Sequence, residues 1–99
     1  MLTNKEKKYL RKLANPLSSI FQVGKEGVSS NQIKGINDYL EAHELVKIAI
    51  LKNCESEPME VALDICSSTK SELVQIIGKI IILYRPSKKK IINLKEANK

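Results

Sequence analysis

The sequence is poor in the residues that carry most metal, redox and acid–base chemistry. It has no Trp, one Phe, three Tyr, one His and two Cys among 99 residues. A structural zinc site takes four ligands, usually Cys and His, and the chain has only three such residues, so no metal site is expected. With so few aromatic side chains, the core must be built from Ile, Leu and Val.

Long apolar runs are absent as well. No run approaches the roughly 18 residues that suggest a membrane span, so no membrane partner is expected. The stretch Met1–Lys8 has no apolar core and no cleavage site, which argues against a signal peptide. A chain of this length predicts one domain, and the simplest location is the cytoplasm, with both cysteines reduced.

Positive charge is concentrated at the two ends of the chain. Residues 1–12 carry five bases and one acid, and residues 85–99 carry six bases and one acid, in a chain of net charge +6. The middle of the chain holds six bases and nine acids. Basic ends around a weakly acidic body are typical of a polyanion-binding protein. The alternative is that lysine-rich ends only aid solubility.

The hydrophobic pattern predicts an α/β fold of the α+β type, a single compact domain with elements in the order α-β-α-β-α-β-β. This order favours a four-stranded mixed sheet with helices packed on it. The run 80–84 is apolar on both faces, so it should be interior to the sheet. The expected strands cover residues 20–23, 45–51, 73–77 and 79–84.

Three helices are expected. Thr3 and Glu6 form a capping box that begins the first helix, and Asn15-Pro16 ends it. The second helix runs from about residue 30 to residue 43, and the third opens at Ser56-Glu57-Pro58. The expected buried faces are Tyr9, Leu10 and Leu13 in the first helix; Ile33, Ile36, Leu40 and His43 in the second; and Met59, Ala62, Leu63 and Cys66, widened by Val61 and Ile65, in the third.

Two features favour phosphate binding. Gly24-Lys25-Glu26-Gly27 joins an apolar run to a helix start, and a tight glycine turn directs N–H groups and a lysine outwards. An isolated Gly-x-x-Gly is more often only a turn, and that alternative stays open. On the first helix, Lys5, Lys8 and Lys12 form one ridge beside the buried face, and Lys7 and Arg11 form a second.

Catalytic patterns are missing. His43 is the only candidate general base, and at a helix end it is expected to pack or cap. Tyr9 and Tyr84 lie in apolar patterns that favour structural roles over base stacking. Because the phosphate-binding motif G-x-x-x-x-G-K-[ST] is absent as well, we expect neither an enzyme nor a cofactor.

Five motifs in order resemble the CRM domain in its stand-alone bacterial form, the YhbY-like ribosome-assembly proteins. The resemblance covers about residues 2–90. Its motifs are Leu13-Ala14-Asn15-Pro16-Leu17, Gln22-Val23-Gly24-Lys25-Glu26-Gly27-Val28, His43-Glu44-Leu45-Val46-Lys47, Val74-Gln75-Ile76-Ile77-Gly78-Lys79 and Ile82-Leu83-Tyr84-Arg85.

The resemblance implies the fold of the C-terminal domain of a translation initiation factor. It also implies binding to ribosomal RNA in precursors of the large ribosomal subunit. The family's G-x-x-G loop falls on residues 24–27, where the acidic Glu26 departs from the neutral residue common at its position. A CRM-like domain is expected over 1–90 and a basic tail over 91–99. The expected RNA-binding residues are Gly24, Lys25, Gly27, Lys5, Lys8, Arg11, Lys12, Arg85 and Lys88.

Two binding functions remain in competition. The first is an RNA-binding module, a monomer that grips backbone phosphate with the glycine loop and the basic residues and can also contact ribosomal proteins. The second is a protein-interaction adaptor that docks on a ribosomal protein or another partner and has little RNA affinity of its own. The sequence favours the first.

Overall fold

The computed structural model describes residues 2–98. These residues form the predicted order α-β-α-β-α-β-β, followed by a short 3-10 helix. None of their helices is both long enough and apolar enough to cross a membrane. The elements are α1 (Asn4–Ala14), β1 (Phe21–Val23), α2 (Ser30–His43), β2 (Leu45–Ile50), α3 (Pro58–Thr69), β3 (Glu72–Ile77), β4 (Ile80–Tyr84) and the 3-10 helix (Leu94–Asn98).

Capping boxes begin α1 and α2. The Thr3 hydroxyl accepts from the Glu6 N–H at 3.1 Å, and the Glu6 carboxylate accepts from the Thr3 N–H at 2.9 Å. Ser29 and Gln32 form the equivalent box at α2. The Gln32 side-chain amide also donates to the Gln22 carbonyl at 2.6 Å, so the start of α2 is held against β1. Because the glycine turn, residues 24–27, lies between β1 and α2, this bond holds its two ends in place.

The four strands form one mixed sheet in the order β1-β2-β4-β3. β1 lies parallel to β2, and β4 lies antiparallel to both β2 and β3. The prediction that the all-apolar strand is interior is confirmed, since β4 has a neighbour on each side. Gly78 has φ +58° in the two-residue turn between β3 and β4. A positive φ at the first turn position suits a tight hairpin and favours glycine.

The sheet separates two apolar clusters. Successive strand residues point to opposite faces, so Ile81 belongs to one cluster and Ile82 to the other. α2 and α3 cover the first face, with Ile36 and Ile65 fully buried. α1 covers the second face, where Leu10 is fully buried. The molecule therefore has an α1 side and an α2/α3 side.

The predicted buried face of α3 is confirmed at Val61, Ala62 and Ile65 and is wrong at Met59 and Leu63. Met59 and Leu63 are 51% and 57% exposed, although the pattern assigned both to the core. α3 has more apolar residues than the one face it turns to the sheet can cover, so part of the pattern remains outside. The buried residues of α3 are Val61, Ala62, Ile65 and Thr69.

Two smaller predictions are also wrong. In α1, Leu13 is 37% exposed, and Ala14 is buried in its place. His43 is exposed instead of facing the core, and its ring centroid lies 4.2 Å from that of Tyr39. Both misplaced residues lie in the last turn of a helix, where a small change in direction moves a side chain off the buried face.

The reason for Gly35 becomes visible only in the structure. A Cβ at this position would lie 3.1 Å from Cε1 of Phe21, closer than most contacts of this kind. Phe21 in turn meets Tyr39 edge-to-face, with ring centroids 6.0 Å apart. The glycine therefore makes room for an aromatic residue of β1 against α2.

Candidate nucleic-acid interface

The capping box and the buried face of α1 determine where its lysines point. Because Leu10 and Ala14 face the sheet, Lys5, Lys8 and Lys12 are exposed along the outer side of the helix. The structure brings these three lysines together at one groove of about 280 Å³. Arg11 is half-buried and does not line this groove.

The other wall of this groove comes from the far end of the chain. Glu96 and Ala97 of the 3-10 helix line it opposite α1, and Tyr9 lines it among the lysines. Ile92 and Leu94 pack against the apolar cluster on the α1 side. We call the groove the α1 groove. The sequence showed the lysine ridge, but no local signal paired it with residues 94–98.

Glu44 holds the returning chain in place, a role that the sequence did not indicate. Its carboxylate is fully buried and accepts from the N–H groups of Ser87 at 2.5 Å and Ile92 at 2.6 Å. Burial raises the pKa of this carboxyl, but the bonds from Ile92 and Ser87 lower it by more, so its pKa lies below the ordinary 4.5. The fold therefore stabilises the ionised form of the Glu44 carboxyl.

The glycine turn lies at the end of β1. The Gly27 N–H donates to the Gly24 carbonyl at 3.0 Å, and Gly27 has φ +72°. Lys25 and Glu26 form the exposed tip. Within residues 2–98, the backbone N–H groups of these two residues have no hydrogen-bond partner. The turn thus offers two N–H groups and one ammonium group to a ligand.

Gly24 lies in a confined position, and Gly27 has a conformation that favours glycine. A Cβ at Gly24 would lie 3.3 Å from Oδ1 of Asn53 and 3.5 Å from Cδ1 of Leu51. At Gly27 there is free space, but the positive φ is strained for other residues. Both glycines therefore have a structural role, whatever the turn binds.

Arg85 is placed inside the fold. Its guanidinium group donates to the Thr69 carbonyl at 2.8 Å and to the Asn37 carbonyl and side chain, and it pairs with Glu41 at 3.0 Å. Its side chain is only 15% exposed. Lys88, in contrast, is exposed, and its N–H lies 3.4 Å from the Glu41 carboxylate. Arg85 joins α2, α3 and the end of β4, apart from the α1 groove.

Groups suited to metal binding do not converge in the part of the chain that the structure describes. Within residues 2–98, no set of three or more His, Cys, Asp and Glu side chains could hold a metal ion. Cys54 and Cys66 are free and half-buried, and burial raises the pKa of the Cys66 thiol. A raised pKa keeps that thiol protonated and makes it a weak nucleophile. Two exposed features bear on phosphate binding, the α1 groove and the glycine turn.

Curated proteins similar to this chain have RNA-binding names. The "Probable RNA-binding protein YqeI" of Bacillus subtilis is 50% identical over 88 residues, which cover 89% of this chain and 92% of that protein. An "RNA-binding protein" of Haemophilus influenzae is 33% identical over 94 residues, covering 94% of each chain. In both cases the similarity extends over nearly the whole length of both proteins.

A solved structure and a family model agree with this similarity. The solution structure of the hypothetical protein SAV1595 from Staphylococcus aureus has a TM-score of 0.76 and 49% identity, covering 89% of this chain and 92% of that one. The model of the CRS1/YhbY (CRM) domain matches residues 2–85. The resemblance seen in the sequence motifs is thus confirmed: the chain belongs to the CRS1/YhbY (CRM) domain family.

Proposed function

We propose that this protein binds ribosomal RNA in precursors of the large ribosomal subunit and assists their assembly in the cytoplasm. The single observation that carries the proposal is the convergence of Lys5, Lys8 and Lys12 on one groove. Membership in a family whose members have RNA-binding names supports it. We propose a binding role, because the similar proteins have RNA-binding names.

Phosphate contact is the main source of affinity in this proposal. Three exposed ammonium groups on successive turns of α1 match the negative charge of an RNA backbone and release its counterions on binding. The turn 24–27 adds Lys25 and two N–H groups that suit a phosphate oxygen. With few exposed aromatic rings, the protein reads mainly the shape of the RNA.

The basic residues near the end of β4 divide into two roles. Lys88 is exposed and is proposed to add a phosphate contact. The side-chain N–H groups of Arg85 already donate to Asn37, Thr69 and Glu41. We therefore propose that Arg85 positions the chain that follows β4, and its predicted phosphate contact stays a prediction.

The alternative function, a protein-interaction adaptor, has one observation in its favour. Met59 and Leu63 lie one turn apart on α3 and are more than half exposed. Glu60 and Asp64 are exposed beside them. An apolar strip flanked by acidic residues suits a basic partner protein. This surface belongs to the α2/α3 side of the sheet, so it does not compete with RNA binding on the α1 side.

Charge reversal on α1 tests the RNA proposal. Lys8→Glu with Lys12→Glu is expected to weaken binding to fragments of large-subunit ribosomal RNA about tenfold or more at physiological salt. The dependence of log Kd on log salt should also flatten, since roughly 0.7 counterions are released per phosphate on a single strand. A filter-binding titration at several salt concentrations measures both quantities.

The matched control reverses the same number of lysine charges on the other side of the sheet. Lys34→Glu with Lys70→Glu reverses two exposed lysines of the α2/α3 side, so the net charge changes equally. We expect the control to bind nearly as tightly as the unchanged protein. Equal loss in both double variants would mean that only net charge matters. Negligible RNA affinity of the unchanged protein would favour the adaptor.

The ribosomal part of the proposal needs a test in cells. The protein should sediment with large-subunit precursors in a sucrose gradient of the lysate at low salt. High salt or ribonuclease should move it to the top of the gradient, because the proposed contact is RNA. Sedimentation at the top even in low salt would contradict the link to ribosome assembly.

A further inference from the structure

Tyr9 occupies an unusual position among the aromatic residues of this chain. Phe21, Tyr39 and His43 contact one another through their rings, and Tyr84 is only 3% exposed. Tyr9 is half-buried and lines the α1 groove. Within residues 2–98 it is the one aromatic ring that is neither buried nor in contact with another ring.

The lysines surround this ring for a helical reason. Residues three and four apart are neighbours on a helix surface, so Tyr9 is adjacent to Lys5 and to Lys12. Lys8 lies on the same groove. An aromatic face beside several ammonium groups is the combination that single-stranded nucleic acid sites use, the ring for a base and the cations for its phosphates.

The opposite wall adds a constraint on orientation. Glu96 of the 3-10 helix lines the α1 groove and brings a carboxylate to that side. A phosphate next to Lys5, Lys8 and Lys12 is favourable, because these three side chains are cationic. A bound nucleotide is therefore directed with its phosphates towards α1.

We propose that the α1 groove is a subsite for one unpaired RNA nucleotide, whose base stacks on Tyr9 while its phosphates contact the α1 lysines. Its volume of about 280 Å³ lies near the small end of ligand sites, which run from roughly 300 to 1,000 Å³, and this fits a single nucleotide. The inference rests on the proposed function and adds a requirement for an unstacked base. Phosphate contact alone would leave Tyr9 without a role.

Photo-crosslinking locates the base directly. A single-stranded RNA containing 5-iodouridine, which crosslinks to stacked aromatic rings, is irradiated with the full-length protein and digested with trypsin. Cleavage after Lys8 and Arg11 isolates Tyr9 in the peptide 9–11. We expect the crosslink on this peptide. A crosslink only on peptides containing Tyr39 or Tyr84, or no crosslink although the RNA is bound, would overturn the subsite.

Substitutions at Tyr9 give an independent measurement. Tyr9→Leu is expected to weaken binding of the same single-stranded RNA about tenfold, while Tyr9→Phe, which keeps the ring, binds as the unchanged protein does. A fully paired RNA duplex of equal length should bind all three equally. Thermal melts check that both variants fold. If Tyr9→Leu does not fold, the crosslink alone tests the nucleotide subsite.

The outcomes separate the subsite from the general function. If the Lys8 and Lys12 reversal weakens binding but Tyr9→Leu does not, the protein binds RNA through phosphates and the nucleotide subsite is wrong. If the unchanged protein binds no RNA, the proposed function fails, and the subsite fails with it.

Discussion

Glu44 connects the end of α2 to residues more than 40 positions later. It is the C-cap of α2 with φ +68°, a left-handed conformation that is uncommon for a residue other than glycine. Its carbonyl accepts from the Arg85 N–H at 2.9 Å, and its carboxylate accepts from Ser87 and Ile92. The backbone strain at this one residue is therefore offset by three hydrogen bonds to the C-terminal segment.

Replacing this carboxylate should destabilise the protein. Glu44→Gln puts an amide with one acceptor oxygen where two oxygens now each accept a backbone N–H. One buried N–H then loses its partner, which costs about 1–3 kcal/mol in the free energy of unfolding. Urea unfolding at pH 7 measures the loss. Glu60→Gln, an exposed change of the same chemistry, should leave the stability nearly unchanged.

The pH dependence provides a second readout for Glu44. Since its pKa is lower in the folded chain than the ordinary 4.5, the unfolded chain binds the proton more tightly. Its contribution is present above pH 4.5 and is lost as the pH falls through the folded pKa. As the pH falls below 4.5, the free energy of unfolding of Glu44→Gln should therefore decrease less than that of the unchanged protein. Equal losses in the two proteins would show that this carboxylate does not contribute.

Among the secondary-structure elements, the turn between β1 and α2 carries the most direct test. Both side chains at its tip are exposed, so they can be changed without disturbing the fold. Lys25→Glu should weaken RNA binding about three- to tenfold, because it replaces an attractive charge with a repulsive one. Glu26→Gln should strengthen binding slightly, because it removes a carboxylate beside the phosphate. Electrophoretic mobility shift titrations at one salt concentration compare the two.

Opposite effects of neighbouring substitutions would assign the turn to the interface. Thermal melts of both variants should match that of the unchanged protein. If neither substitution changes RNA affinity, Gly24 and Gly27 are there only for the space and the conformation that the turn requires. That result would support the structural alternative that the sequence left open.

For the molecule as a whole, α1 and α3 lie on opposite sides of the sheet and differ in the sign of their charge. Lys5, Lys8 and Lys12 lie on the α1 side, whereas α3 on the other side carries acidic residues and no base. Such a distribution orients an approaching polyanion towards the α1 side before any contact is made. The acidic residues of α3 disfavour an RNA contact there and leave α3 available for a protein.

Truncation tests how far the domain extends. A chain ending at residue 90 loses the Ile92 N–H bonded to Glu44 and the apolar cover from Ile92 and Leu94. We expect its free energy of unfolding to fall by about 2 kcal/mol or more, measured by urea unfolding. Lys95→Gln in the full chain is the control, since it removes the same net charge. If the truncated chain is as stable as the full chain, the domain ends near residue 90, as the sequence predicted.

The sequence predicted the elements better than their buried faces. The capping residues Thr3 and Ser29 and the glycine at position 78 act on neighbours within a few residues, so their effects can be read locally. The contacts of Met59 and Leu63 depend on which face of α3 meets the sheet, and the helical period alone allowed the wrong one. The sequence predicts Arg85 as an RNA-binding residue and gives no sign of its partners on α2 and α3, because they are distant in the sequence.

Local residue patterns alone determined the order of helices and strands, the interior position of β4, the lysine ridge and the resemblance to the CRM family. These features depend on residue spacing, helix capping and sequence motifs, which can be recognised without knowing the distant contacts. The tertiary structure decided that residues 94–98 face α1, that Glu44 holds them there and that Tyr9 remains accessible among the lysines. Those features join residues that are distant in the sequence, and they are brought together by the packing of Ile92 and Leu94 on the α1 side and by the hydrogen bonds of Glu44.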